Sequence, residues 1–229
     1  MTLSLRPRQL VLALDHAESF AREDFLGGPS NAAGLALVER WPDWPNRSMA
    51  LIGPEGSGKS HLAAIWAELS GARVVAARLI GEIDLPAAVA TGALVLEDLR
   101  PGGFDEPALF HLLNLVREEG ASLLITARAQ PSGFRVGLRD LASRLRALPL
   151  VTLAPPDDSL LRLVMVKLAA DRQLALDPAL ADYVANRIER SFAAARTAVA
   201  RLDEEAMRRH RPVSRALAAE LFRSGLEEN

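Results

Sequence analysis

The chain has 229 residues, of which 49% are apolar, and it carries a formal net charge of −2. That is enough apolar material for one large domain or two modest ones, without the strong positive excess of a protein that lives on nucleic acid. The absence of cysteine excludes a disulfide framework, a thiolate metal site and thiol catalysis, and the four histidines (His16, His61, His111, His210) show no metal-ligand spacing.

No stretch approaches the roughly 18 uninterrupted apolar residues of a membrane span. The opening residues Met1 to Arg8 lack the ordered regions of a signal peptide. A soluble cytoplasmic protein is the expectation.

In chain order, Gln9-Leu10-Val11-Leu12-Ala13-Leu14 comes first. Leu10, Leu12 and Leu14 alternate, so an extended segment shows all three on one face. Two readings stand: an edge strand of the chain's own sheet, or a linear motif that docks in a partner's groove with the Gln9 amide fixing its end. The segment ending in Gly27-Gly28-Pro29-Ser30-Asn31 is a loop, with Ser30 or Asn31 placed to cap a helix over Ala32 to Glu39.

Ser48 to Ile52 reads as a buried strand, and Ser60 to Leu69 as a helix. Between them Gly53-Pro54-Glu55-Gly56-Ser57-Gly58-Lys59-Ser60 is a complete G-x-x-x-x-G-K-S phosphate loop, followed by His61. Such a loop turns its backbone N–H groups inward at phosphate oxygens. Lysine reaches the β/γ-phosphates and the hydroxyl ligates Mg²⁺. Lys59 and Lys167 are the only lysines among 27 basic residues. A compact ammonium is kept where this loop requires one.

Short strands follow at Ala72 to Ala76 and Ala93 to Leu96, the latter ending in Glu97-Asp98. A weak helix covers Pro86 to Ala90, and an amphipathic helix Pro107 to Glu119. A strand over Ser122 to Thr126, a helix over Leu138 to Leu145 and a strand over Leu150 to Leu153 complete the alternation. Strands this apolar are buried on both faces, which implies a parallel sheet between helices. Beyond Pro155-Pro156 only helices are expected: Asp157 to Asp171, Pro178 to Arg190, Phe192 to Arg209 and Ser214 to Ser224. Nine arginines lie between Arg187 and Arg223, and interleaved acids make them a solvated face.

The acids Glu97 and Asp98 end beside the phosphate loop at the carboxyl edge of the sheet, where one carboxylate can hold Mg²⁺ and another polarise water. Thr126 ends the next strand with its hydroxyl toward the terminal phosphate, or is simply a polar strand end. Arg144, in Asp140-Leu141-Ala142-Ser143-Arg144-Leu145, is either surface decoration or a cation inserted into a neighbour's nucleotide site.

Together these segments resemble the AAA+ family, in particular its DnaA-related branch and the short regulatory inactivators of DnaA, the Hda type. Phe25 to Asn31 is similar to the segment that wraps the adenine base, which implies contacts from Phe25, Leu26 and Asn31. Gly53 to Ser60 matches Walker A, Leu94 to Asp98 resembles Walker B, Thr126 falls at sensor 1, and Arg144 falls at the arginine finger of box VII.

The resemblance implies an α/β AAA+ P-loop NTPase fold: a five-stranded parallel sheet between helices plus a small all-helical lid. Residues 1–18 would form a clamp-binding segment, 19–154 the nucleotide-binding domain and 155–229 the lid. Gln9 to Leu14 fits the sliding-clamp motif Q-L-x-L-x-L of the Hda type. The implied ligands are ADP or ATP with Mg²⁺ on Ser60 and Glu97. The implied partners are the DNA polymerase sliding clamp and DnaA, with a homodimer possible and DNA reached only through the clamp.

Two departures bear on turnover. Walker B carries Glu97 where DnaA has aspartate, leaving Asp98 as the water-activating acid. Ala193 stands where a sensor 2 arginine is expected, with Arg196 about one turn on. The second implies weak or no intrinsic hydrolysis, and the resemblance as a whole implies a regulator that acts on DnaA-bound ATP through Arg144. The rival readings are a self-sufficient oligomeric AAA+ ATPase and a DnaC-like helicase-loading or DNA-binding factor.

Overall fold

A computed structural model describes residues 20–44 and 46–222. The segment carrying Gln9, Leu10, Leu12 and Leu14 lies outside the described residues.

Five strands form one parallel sheet: β1 (Ser48–Ile52), β2 (Arg73–Ala76), β3 (Ala93–Leu99), β4 (Ser122–Ala127) and β5 (Leu150–Thr152), in the order β2-β3-β4-β1-β5. Side chains alternate across a strand, and the two faces fill accordingly. On one, Ala50, Ile52, Leu94, Leu96, Leu123 and Ile125 join a single apolar cluster. On the other, Met49, Leu51, Val95 and Leu124 join a second cluster with the tryptophans. The first face is covered by α3 (Leu85–Val89), α4 (Glu106–Glu118) and α5 (Arg139–Ala147), the second by α1 (Ala32–Glu39) and α2 (Lys59–Ser70).

All three tryptophans lie on this second face. Trp66 is fully buried, stacked on Trp44 at 4.9 Å between ring centroids and edge-on to Trp41 at 6.3 Å. Trp66 belongs to α2, the helix that follows the phosphate loop, and Trp41 and Trp44 pack against it.

The last four helices, α6 (Asp158–Asp171), α7 (Pro178–Ala185), α8 (Phe192–Arg209) and α9 (Arg215–Leu221), bury a core of their own around Leu161, Met165, Val184 and Val199. Each begins on a capping side chain. Asp157, Asp177, Ser191 and Ser214 accept from the N–H three residues on, at 2.8 to 3.3 Å. The chain turns after Ala185, so α7 stops short of the expected Arg190 and Ser191 is free to cap α8. No helix among the described residues is long and apolar enough to cross a membrane.

The strand expected to end at Leu96 continues to Leu99. Its register against β4 shifts between Leu96 and Leu99: Leu96 faces Ile125, and Leu99 faces Ala127. One extra residue is accommodated there, so Glu97 and Asp98 ride on an irregularity of the kind that re-aims side chains. A short 3-10 turn at Ala77–Glu82, not foreseen from the periodicity, joins β2 to α3.

Candidate functional site

The phosphate loop leaves β1 at the carboxyl edge of the sheet and enters α2. Gly56 and Gly58 have φ of +69° and +95°, a region that side-chain-bearing residues rarely adopt. Lys59 Nζ donates to Gly53 O at 2.7 Å and Pro54 O at 2.6 Å, with Ser57 Oγ at 3.4 Å. Burial, then the charge of Arg128, pushes Lys59 below its ordinary pKa, while Asp98, Glu55 and Glu97 pull the other way. Gly58, the N-cap of α2, brings no capping side chain, whereas Asp105 and Ser191 cap α4 and α8. The positive end of α2 is therefore left to an anion.

Beside the loop lies a cleft of about 520 Å³ between the sheet domain and the last four helices. That volume falls in the range of small-molecule sites. Phe25, Leu26, Gly56, Gly58, Ser60 and His61 line it from one side, and Lys167, Phe192, Ala193 and Arg196 from the other. An apolar wall near a glycine loop and a basic residue is the donor set an adenine nucleotide requires. Asn31 does not line the cleft. Its buried amide accepts from Gly28 N at 2.8 Å and donates to Leu26 O at 3.0 Å, holding the turn that presents Leu26 instead of capping α1.

Contacts among the described residues join the two sides. Phe192 N donates to Gly56 O at 2.9 Å. A Cβ built on Gly56 would stand 2.5 Å from Ser191 Cβ, so the last four helices rest on the loop backbone itself. Lys167, on α6, pairs with Asp24 at 2.5 Å and with Asp171 at 3.0 Å.

His61 sits between Phe20 and Phe25, edge-on at 5.4 and 5.2 Å, with Nε2 3.1 Å from Ala21 O. Burial lowers its pKa. The folded state therefore binds this proton less readily than the unfolded chain, and stability falls as pH drops from the ordinary histidine value through the lower folded one. In urea unfolding followed by tryptophan fluorescence, His61→Gln is expected to lose part of the stability decline that the native chain shows below about pH 6.5.

At the edge of β3, Asp98 adopts φ +60°. Its N–H donates to Thr126 Oγ1 at 2.9 Å. Thr126 is 1% exposed, and its hydroxyl braces the β3 irregularity from β4. The Asp98 carboxylate pairs with Arg100 and lies 3.8 Å from Arg128 Nε, and Arg128 pairs in turn with Glu55 of the phosphate loop. The hydrogen bond from Arg100 holds Asp98 below its ordinary pKa. Among the described residues no cluster of three or more His, Asp or Glu could hold a metal ion, so Ser60 and Glu97 would hold Mg²⁺ only together with phosphate oxygens.

Arg144 lies on α5, half-buried, with its guanidinium 5.1 Å from the Phe110 ring centroid. Glu106 accepts from Gly137 N and Leu138 N at 2.8 and 3.1 Å, which fixes the start of that helix. Arg144 is not part of the cleft lining.

The structure thus gathers Phe25, Leu26, Gly56, Gly58, Ser60 and His61 in one cleft, sets Asp98 and Thr126 at the adjoining sheet edge, and leaves Arg144 elsewhere. Arg100 and Arg128 were not singled out from the sequence. The one signal for Arg128 is its position just past the end of a buried strand, at the edge where α/β sheets bind ligands.

A sheet of this order, with the phosphate loop after its β1 and a helical unit closing over the cleft, is an AAA+ fold. The structure is similar to domain III of the replication initiation protein DnaA from Thermotoga maritima, with a TM-score of 0.74 at 19% identity over 91% of this chain and 98% of that one. It is similar to AMPPCP-bound DnaA from Aquifex aeolicus, with a TM-score of 0.63 at 15% identity over 83% of this chain and 69% of that one. A RuvB from Thermotoga maritima gives 0.70 at 16% identity over 92% and 75%. No family model and no curated protein sequence matches the chain. At these identities the likeness is one of fold, a DnaA-like AAA+ fold.

Proposed function

We propose that the protein is a nucleotide-binding regulator of replication initiation. In this reading it holds ADP or ATP with Mg²⁺ and turns it over slowly, if at all. It docks on the DNA-loaded sliding clamp through Gln9 to Leu14, and it stimulates hydrolysis of DnaA-bound ATP by presenting Arg144. Lys59 and the N-terminus of α2 hold the phosphates; Phe25, Leu26 and His61 face the base; Ser60 and Glu97 hold the metal through the phosphates.

The observation that supports slow turnover by the chain itself is the state of Asp98. An acid that is to accept a proton from water needs free lone pairs and a pKa matched to that task. Asp98 instead has two arginines beside it, Arg100 paired with it and Arg128 at 3.8 Å, and although both contacts are open to water it is held below its ordinary value. Ala193 stands in the cleft lining where the resemblance leads one to expect an arginine, with Arg196 about one turn on. A bound nucleotide here sets shape more than it supplies turnover. Resemblance to the DnaA branch, the DnaA-like fold and the Q-L-x-L-x-L spelling support the choice of partners.

The experiment is single-turnover hydrolysis by the isolated protein with Asp98→Asn and Arg144→Ala. The expected result is slow hydrolysis, changed by neither substitution more than about twofold. Fast turnover that falls about 100-fold or more in both variants would instead identify a self-sufficient oligomeric ATPase, since each group then acts on the chain's own nucleotide. Separately, Gln9→Ala with Leu10→Ala is expected to abolish retention on immobilised clamp without changing ADP affinity; full retention contradicts the docking role.

A further inference from the structure

Thr126 accepts from Asp98 N, and the side chain at this sheet edge that reaches the phosphate loop is Arg128. β4 lies beside β1, and Arg128 follows its last residue. Its guanidinium is paired with Glu55 inside the loop and lies 3.8 Å from Asp98 on the other side. Its field is also felt at Lys59, second only to burial. Two cations therefore share the lip of the loop: a compact ammonium inside it and a planar guanidinium at its outer side. Arg128 and Glu55 are 43% and 69% exposed in their side chains, and a pair so open to water is weak and readily exchanged.

We propose that Arg128 and Glu55 together decide between a nucleoside diphosphate and a triphosphate: Arg128 is the cation that meets the third phosphate, and Glu55 is the carboxylate that competes for it. This rests on the nucleotide reading of the phosphate loop. A diphosphate engages Lys59 and the α2 N-terminus and leaves the Arg128–Glu55 pair intact. A triphosphate extends past Lys59 toward the sheet edge and gains a bidentate guanidinium contact. It gains that contact only by drawing Arg128 away from Glu55. The carboxylate is thus a built-in threshold against the longer ligand, carried by the second variable position of the loop.

The test is calorimetry of the full chain with ADP and with AMPPCP, each with Mg²⁺, on the native protein, Arg128→Ala, Glu55→Gln and Lys59→Ala, with folding checked by circular dichroism. Arg128→Ala is expected to weaken AMPPCP about tenfold or more while ADP stays within about twofold. Glu55→Gln is expected to act in the opposite sense, strengthening AMPPCP about threefold or more with ADP unchanged. Equal losses for both ligands in Arg128→Ala, or weaker AMPPCP binding in Glu55→Gln, would overturn the proposal. If Lys59→Ala loses both ligands while Arg128→Ala loses neither, the assignment of Arg128 fails and the phosphate-loop reading stands. A native protein that binds neither compound removes that reading, and this proposal with it.

Discussion

Lys59→Ala is expected to weaken ADP binding roughly 100-fold or more. A hydrogen bond to a charged group contributes about 1.5–3 kcal/mol, and an ammonium reaching two phosphates makes more than one. Lys59 is already gathered at the loop by Gly53 O and Pro54 O, so little ordering is needed to turn it onto a phosphate. Lys59→Arg is expected to rescue poorly, because those carbonyls accept a compact ammonium and a planar fork does not fit the same space. Titration calorimetry checks both variants. Binding within threefold of the native protein in Lys59→Ala would remove the phosphate-loop role.

Gly56→Val is expected to produce the largest structural loss. A β-branched residue at φ +69° is strained by about 1–3 kcal/mol before any contact is considered. Its Cβ would also stand 2.5 Å from Ser191 Cβ, where α8 begins. The start of α8 would have to withdraw, breaking the bond from Phe192 N to Gly56 O. Lower thermal stability and weaker nucleotide binding are expected together, since the same contact closes the cleft. The double variant Gly56→Ala with Ser191→Gly separates the two causes. It reopens the space but keeps the backbone strain, and the glycine cap costs α8 only a few tenths of a kcal/mol. It should therefore recover part of the loss. The tryptophan cluster around Trp66 of α2 supplies the fluorescence signal. No recovery at all would mean that the Ser191 contact does not hold the last four helices on the loop.

Much of the sheet was legible because its signals are local. Ser48 to Ile52 is an unbroken buried run before a loop whose glycines admit one kind of geometry, and β1 has those bounds in the structure. The one cap read from the sequence, Ser30 or Asn31 for α1, makes no side-chain capping bond, because the Asn31 amide is turned onto Leu26 and Gly28. The end of β3 was not legible. Glu97 and Asp98 break the apolar run, so periodicity stops the strand at Leu96. It runs on to Leu99 because Glu97 pairs with Ala76 of β2 and Leu99 with Ala127 of β4, with Asp98 N bonded to Thr126 between them.

The site shows the same division. Lys59, Ser60 and the glycines belong to one contiguous motif and could be read together. Arg128 is a lone arginine after a strand, and its meaning lies in Glu55 and Asp98, which come from two other parts of the chain. The meeting of Phe192 with Gly56 joins the phosphate loop to the last helices, far apart in the chain, and no spacing in the sequence encodes it. Thr126 could be read from the sequence as a phosphate-facing hydroxyl or as a polar strand end; in the fold its hydroxyl accepts from Asp98 N, a long-range contact that no spacing announces.

The central claim is that this chain acts on a nucleotide held by another protein. The most direct measurement is hydrolysis of ATP prebound to DnaA, in the presence of sliding clamp loaded on DNA and this protein, either native or Arg144→Ala. An arginine acting in trans accelerates such hydrolysis by about 10³-fold or more. The account predicts stimulation that requires the clamp and falls by about that factor in Arg144→Ala. No stimulation by the native protein, or equal stimulation by the variant, would contradict it.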